Sequence, residues 1–222
     1  REREHSLAIH AASFGAGGAA AGADADGDGA NNLSEYLGGT DPLTPQSAPP
    51  PFIVPPAVAI FRPAQARFHV DTDRDGVADL KSYLGGGTDV PLAGRIDVDG
   101  RHDLVVYRNG VWYADTNRDG SADVTVGFGG VPGDRPLLAD LNGDGRDDLV
   151  VFRGGAWFVS TAQDGGANLV FAFGAPGDVP VAGDVDGDGV ADLAVYRNGV
   201  WYLDTNRDGA ADQVVAFGGG AG

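Results

Sequence analysis

VVYRNGVWYADTNRDGSADVTVGFG at residues 105–129 returns almost unchanged as AVYRNGVWYLDTNRDGAADQVVAFG at 194–218. Between them lies VVFRGGAWFVSTAQDGGANLVFAFG at 150–174, and ahead of all three a looser copy, AIFRPAQARFHVDTDRDGVADLKSYLG, at 59–85. Phe68, Trp112, Trp157 and Trp201 follow one another at steps of 44, 45 and 44 residues, and Leu84, Phe128, Phe173 and Phe217 keep the same steps. A period of this length marks a small supersecondary unit that cannot bury its apolar faces alone and must stack on its neighbours.

Each full unit reads as four short strands. In the last copy these are PVAGD, DLAVYR, GVWYLDT and DQVVAFG, separated by Gly, Asn and Asp turns. The second strand is apolar on both sides, with Leu193 and Val195 pointing one way and Ala194 and Tyr196 the other. A sheet with one wet face would alternate apolar with polar, so this strand is expected to be covered on both faces. Small sheets stacked radially in a β-propeller meet that condition. The expected fold is mainly β, a propeller-type array of four repeats of about 44 residues over 57–222. A two-layer sandwich is the structural alternative, but it gives no reason for the fixed step.

Ahead of the repeats, residues 1–44 read as a separate segment and 45–56, PQSAPPPFIVPP from Pro45 onward, as a stiff Pro-rich linker. The first repeat lacks a leading strand of its own unless Phe52–Val54 supplies one. SLAIHAASF at 6–14 is a short apolar helix or strand, expected to dock on a neighbouring copy.

The acidic residues gather in short loops with oxygen donors at positions 1, 3 and 5 and glycine at 6. Alternate placement lets a tight turn aim several carboxylates at one point, and glycine supplies the backbone angle that closes it. Donor sets of oxygen alone suit Ca²⁺ rather than zinc. DADGDGANNLSE at 24–35 follows the twelve-position EF-hand grammar. Asp24, Asp26 and Asp28 stand at 1, 3 and 5, the Ala30 carbonyl at 7, Asn32 at 9 and Glu35 at 12. NLSEYL is then the exiting helix of a small helical module.

A second set lies between the first two strands of a repeat: Asp140, Asn142, Asp144 and Asp148, then Asp184, Asp186, Asp188 and Asp192. In the corresponding loop of the preceding repeat Arg95 takes position 1 ahead of Asp97, Asp99 and Asp103. An arginine–aspartate cluster is favoured there over a cation. A third set lies between the third and fourth strands. Its members are Asp71, Asp73, Asp75 and Asp79; Asp115, Asn117, Asp119 and Asp123; and Asp204, Asn206, Asp208 and Asp212. Its degenerate copy, Ser160, Ala162, Asp164 and Asn168, keeps one carboxylate and should hold no ion. The alternative for the intact copies is a hydrogen-bonded turn with solvated aspartates. About six calcium sites result, which would bring the net charge of −17 to about −5.

The phrases LADLNGDGRDDLVVF and VAGDVDGDGVADLAVY resemble FG-GAP or VCBS repeats, the units of integrin α-type propellers and of many bacterial surface proteins. The 24–42 stretch resembles the calcium loops of dockerin and thrombospondin type 3 repeats. The resemblance implies calcium in the loops and propeller blades between them, although 44 residues per repeat and four units depart from the usual seven blades.

Composition narrows the function. With 32 acidic against 15 basic residues a nucleic-acid backbone is a poor partner, and no apolar run is long enough for membrane insertion. There is no cysteine, hence no disulfide and no thiolate nucleophile. The four histidines, His5, His10, His69 and His102, share no phase of the repeat, and no nucleophile motif stands out. With the calcium loops, the resemblance to repeats of surface proteins and the docking expected of residues 6–14, the chain is expected to be non-enzymatic, extracellular or cell-surface, and a homo-oligomer or homopolymer. Two other readings stay open: an adhesive or lectin-like propeller that binds glycan or protein, and an accessory domain of a secreted enzyme.

Overall fold

In the computed structural model of the chain, residues 57–99 and 101–218 are described, together with the backbone of a three-residue strand near the start. Four four-stranded antiparallel sheets follow the repeats in order, as successive blades of a β-propeller. Blade 1 comprises β1 (His5–Leu7), β2 (Val58–Arg62), β3 (Arg67–Asp71) and β4 (Leu80–Ser82). Blade 2 comprises β5 (Val90–Gly94), β6 (Asp103–Arg108), β7 (Val111–Asp115) and β8 (Val124–Gly127). Blade 3 comprises β9 (Arg135–Ala139), β10 (Asp148–Arg153), β11 (Ala156–Ser160) and β12 (Leu169–Ala172). Blade 4 comprises β13 (Val179–Gly183), β14 (Asp192–Arg197), β15 (Val200–Asp204) and β16 (Gln213–Ala216). The EF-hand-like loop at 24–35, its exiting helix and the Pro-rich linker lie outside the described residues.

Register within each blade is set by the hairpin between the second and third strands. In blades 2 and 4 Asn109–Gly110 and Asn198–Gly199 take φ of 49/87° and 49/85°, the left-handed pair that matches strand twist. Arg108 then pairs with Val111 and Tyr107 with Trp112, and blade 4 repeats this with Arg197–Val200 and Tyr196–Trp201. The pairing stacks one aromatic edge-on against another, with Tyr107–Trp112 and Phe152–Trp157 ring centroids 5.0 and 5.1 Å apart. The indole N–H of Trp112 donates to the Phe128 carbonyl and that of Trp157 to the Phe173 carbonyl. The recurring Trp and Phe thus fasten the third strand to the end of the fourth.

Three apolar clusters join the blades. One combines Phe61, Phe68 and Leu84 of blade 1 with Leu104 and Val106 of blade 2. The second combines Ile96, Trp112 and Phe128 with Leu149 and Val151. The third combines Phe152, Trp157 and Phe173 with Leu193 and Val195. Each blade therefore has a forward face, turned to its successor, and a rear face, turned to its predecessor. The double-sided apolarity of the second strand follows: Leu149, Val150, Val151 and Phe152 are all at most 3% exposed.

The structure departs from one expectation. The leading strand of the first blade is His5–Leu7, paired antiparallel with β2 so that Ser6 faces Ile60, and not Phe52–Val54. Three residues suffice because β2 already forms the hairpin with β3 and needs only one more partner. In blade 4 the second strand is covered on both faces as expected, with Leu193, Ala194 and Val195 at 0, 5 and 1%, while the fourth strand, β16, is exposed along its whole length.

Candidate metal centres

The meander topology puts the loops between strands one and two and between strands three and four at the same end of every blade. Side chains tie the two loops together. Arg207 Nη1 donates to the Ala191 carbonyl at 2.9 Å, and Gln163 Nε2 to the equivalent Asp147 carbonyl at 3.0 Å. All the described acidic loops therefore crowd one rim of the propeller.

In the first-to-second-strand loops the last aspartate opens the second strand and is buried. Asp103, Asp148 and Asp192 are 0, 1 and 0% exposed. Each accepts, on Oδ2, the backbone N–H seven residues earlier, from Ile96, Leu141 and Val185 at 2.9, 2.9 and 2.7 Å. The other oxygen is differently placed. Asp103 Oδ1 and Asp192 Oδ1 are buried and have no hydrogen-bond partner. Burial, reinforced by Asp97 and Asp99, pushes the Asp103 carboxyl up to about 7. Burial with Asp140, Asp144 and Asp147 pushes Asp148 up to about 7, and burial with Asp186 and Asp188 raises Asp192. These carboxylates are costly to ionise as they stand.

The third-to-fourth-strand loops satisfy themselves more fully. Asp115 Oδ1 and Oδ2 accept the N–H groups of Asp119 and Gly120, and Asp204 repeats this with Asp208 and Gly209. Ser82 of the preceding blade adds a hydroxyl to Asp115 Oδ2 at 3.0 Å. Asp79, Asp123 and Asp212 accept both the hydroxyl and the N–H of Thr72, Thr116 and Thr205. Those bonds hold the three carboxyls below the usual range, led by the Thr72 hydroxyl for Asp79 and by the threonine N–H for the other two. In the degenerate copy Ser160 donates to Asp164, and Asn168 Oδ1 takes the place of the threonine-bound carboxylate.

Among the described residues, three carboxylate triads bring ligand oxygens within 4.8 Å of one another: Asp71–Asp73–Asp79, Asp97–Asp99–Asp103 and Asp184–Asp186–Asp192. All three have aspartate at loop position 3. Where position 3 is asparagine its amide donates to a neighbouring carboxylate instead: Asn117 to Asp123, Asn206 to Asp212 and Asn142 to Asp144, at 3.1–3.2 Å. Asp144 is further engaged by Arg146 at 3.2 Å. Of the six loops expected to hold calcium, the Asp71 and Asp184 loops thus converge, while the Asp115, Asp140 and Asp204 loops are closed by amide–carboxylate bonds. The Asp24 loop, with Asp26, Asp28, Ala30, Asn32 and Glu35, lies outside the described residues. The Asp97 triad forms in spite of Arg95, whose backbone N–H goes to Asp147 Oδ2 of the next blade at 2.8 Å. The donor sets fit a hard divalent cation, which would occupy the coordination that Asp103 Oδ1 and Asp192 Oδ1 lack.

A second in-phase constellation escaped the sequence reading. Asp89, Asp134 and Asp178, each just ahead of a first strand, form bidentate pairs with Arg108, Arg153 and Arg197, the closest N–O distances all 2.6 Å. The aspartate side chains are at most 2% exposed. The Arg197 bond lowers Asp178; at Asp134 burial pushes upward but the Arg153 pair outweighs it. The sequence carries its signal, an Asp and an Arg 19 residues apart in three consecutive repeats. These pairs lock each first strand to its second at the rim opposite the acidic loops.

No protein-family model and no curated protein matches the sequence. Solved structures resemble the chain at low identity. A protein of unknown function from Bacteroides caccae superposes with a TM-score of 0.50 at 11% identity, over 72% of this chain and 56% of that one. An Agrocybe aegerita lectin specific for non-reducing terminal N-acetylglucosamine gives 0.49 at 16% identity, over 72% of this chain and 48% of that one. The chain spans about half the length of these structures. It is a β-propeller protein with acidic clusters that could hold metal ions. No helix among the described residues is long and apolar enough to cross a membrane.

Proposed function

We propose that the chain is a secreted or surface-displayed, non-enzymatic calcium-binding structural protein, whose acidic blade loops are held by cations and whose copies self-assemble. The observation that carries the reading is the pair of buried carboxylate oxygens, Asp103 Oδ1 and Asp192 Oδ1, each beside two further aspartates and without a donor. A buried, unpaired carboxylate is costly, and a divalent cation turns that cost into coordination. The resemblance of these loops to FG-GAP or VCBS repeats, and of 24–35 to an EF-hand loop, supports calcium as the ion. In this reading Asp97, Asp99 and Asp103 would hold one ion, and Asp184, Asp186 and Asp192 another. Asp71, Asp73 and Asp79 would hold a third. Calcium modules outside cells bind at about 10⁻⁴–10⁻³ M, so the fold would be completed by extracellular calcium and left slack inside a cell.

The test is a thermal melt of the full chain in millimolar calcium and in chelator, with metal content measured in both. A midpoint far lower in chelator is expected. An unchanged midpoint after confirmed metal removal overturns the reading.

A further inference from the structure

We propose that the uncovered forward face of blade 4 docks the uncovered rear face of blade 1 in a second copy of the chain. The contact is head to tail and repeats the junction already formed three times within one chain. The inference rests on the self-assembly part of the proposed function and not on its calcium part.

The forward face of blade 4 keeps the side chains that its counterparts bury. Phe217 is 74% exposed, where Phe128 and Phe173 are 7 and 6%. Val185 is 54% exposed, where Ile96 and Leu141 are 3 and 4%. Trp201 is half-buried, where Trp112 and Trp157 are fully covered. A face built for a following blade is present, and among the described residues no blade follows.

The rear face of blade 1 is the matching half. Val58 is 51% exposed and Ile60 half-buried, while their equivalents Leu104, Val106, Leu193 and Val195 are at most 3% exposed against the blade before them. Backbone geometry agrees. A Cβ on Gly165 or Gly209 would lie 2.5 or 2.7 Å from a carbonyl oxygen of the preceding blade, whereas one on Gly76 would meet nothing within 4 Å. Blade 1 is shaped for a predecessor, and among the described residues none covers Val58.

Charge selects the occupant. On the rear face, blade 1 carries Arg67, His69 and Lys81 where blade 2 carries Val111, Tyr113 and Thr125. The Nε atoms of Arg62 and Arg67 and the Nε2 of His69 are buried without hydrogen-bond partners, the Arg67 guanidinium lying over the Tyr83 ring. Arg67 and Lys81, beside a His69 that burial and its cationic neighbours keep neutral, fit an acidic neighbour, and this chain carries a net charge of −17. In the existing junctions the third-to-fourth-strand loop of a blade lies against the end of the fourth strand of the blade before it, Gly165 on Gly127 and Gly209 on Ala172. The rear face of blade 1 would then come beside β16. One chain thus carries both complementary halves, and a contact of this kind either closes a ring or extends a filament.

Sedimentation velocity on the full chain in millimolar calcium tests the proposal. The wild type is expected at two or more times the 22.6 kDa chain mass. Phe217→Asp and Val58→Asp, each at an exposed position, should each sediment as a single chain. Their equimolar mixture retains one intact junction and should recover a two-chain species, which also shows that both variants are folded. A wild type that stays at one chain mass across the concentration range overturns the proposal. So does assembly of both single variants as in the wild type, or failure of the mixture to associate. Melting Phe217→Asp with and without calcium reports the metal reading separately, since that variant keeps every acidic loop.

Discussion

The Asp140–Asp148 and Asp184–Asp192 loops occupy the same place in neighbouring blades and differ little in sequence, yet their carboxylates behave differently. Asp186 at position 3 leaves Asp184, Asp186 and Asp192 converging, with Asp192 Oδ1 buried and unpartnered. Asn142 at the same position donates to Asp144, and Arg146 adds a second contact. One amide supplies from within the chain part of what, on the proposed reading, a cation would supply to the other loop. On that reading position 3 would separate loops that depend on metal from loops that have an internal substitute. The third-to-fourth-strand loops divide the same way, Asp73 against Asn117 and Asn206.

The broadest challenge to this comparison is removal of all metal. At ten to a hundred times the dissociation constant, each site adds about 1.4–2.7 kcal/mol, and three converging sites roughly 4–8 kcal/mol. At about 2–4 °C per kcal/mol for a chain of this size, chelation should lower the thermal midpoint by roughly 10–30 °C. A drop of only a degree or two would mean that the triads are solvated turns.

Exchanging the position-3 residues sharpens it. Asp186→Asn should lose about 1.4–2.7 kcal/mol of calcium-dependent stability, one site's worth, and little in chelator. Asn142→Asp should do the reverse, destabilising the metal-free protein and enlarging its response to calcium. Calcium titrations followed by thermal melts read both, and equal behaviour of the two variants would break the distinction.

Asp192→Asn carries a change of sign. In calcium it removes a ligand and should destabilise. In chelator it replaces a buried, unpaired charge by an amide able to donate to Asp186 or Asp188, so a gain of about 1 kcal/mol is expected. Chemical denaturation in the two buffers measures both signs. Destabilisation of similar size in both would show Asp192 to be a structural hydrogen-bond acceptor only.

The smallest effect is that of pH on the metal-free protein. Asp103 and Asp148 are pushed up to about 7, above the value of about 3.9 for an unfolded chain. Their contribution is complete below about pH 4 and is lost as pH rises through about 7, because the folded state holds the proton more tightly. Asp178, held low by Arg197, works the other way: its contribution is present above about pH 4 and lost as pH falls. A midpoint in chelator that declines by a few degrees from pH 5 to 8, and no longer does so in calcium, is the expected melt. A flat profile in chelator would contradict it.

Much of the fold was legible because the repeat prints itself in large residues. Trp112, Trp157 and Trp201 mark the third strands and Phe128, Phe173 and Phe217 the ends of the fourth, so four blades could be counted before any coordinates. His5–Leu7 could not be assigned, since HSL has no resemblance to VPLAG or VPVAG and its pairing with β2 spans about fifty residues. The forward face of blade 4 was illegible for the opposite reason: Phe217 looks like Phe173, and only its exposure of 74% against 6% distinguishes them. For the candidate sites, the alternating aspartates gave loop positions but not convergence. That depends on whether an amide or a carboxylate stands at position 3, and Arg95 obscured the Asp97 triad by suggesting an internal counter-charge.

The most direct measurement is an anomalous difference map from crystals of the full chain grown in calcium. Peaks are expected within the Asp71, Asp97 and Asp184 triads, with nothing at the Ser160 loop. Empty triads at Asp97–Asp99–Asp103 and Asp184–Asp186–Asp192, or an ion at Ser160, would contradict the claim that buried carboxylate oxygens mark the cation sites of this propeller.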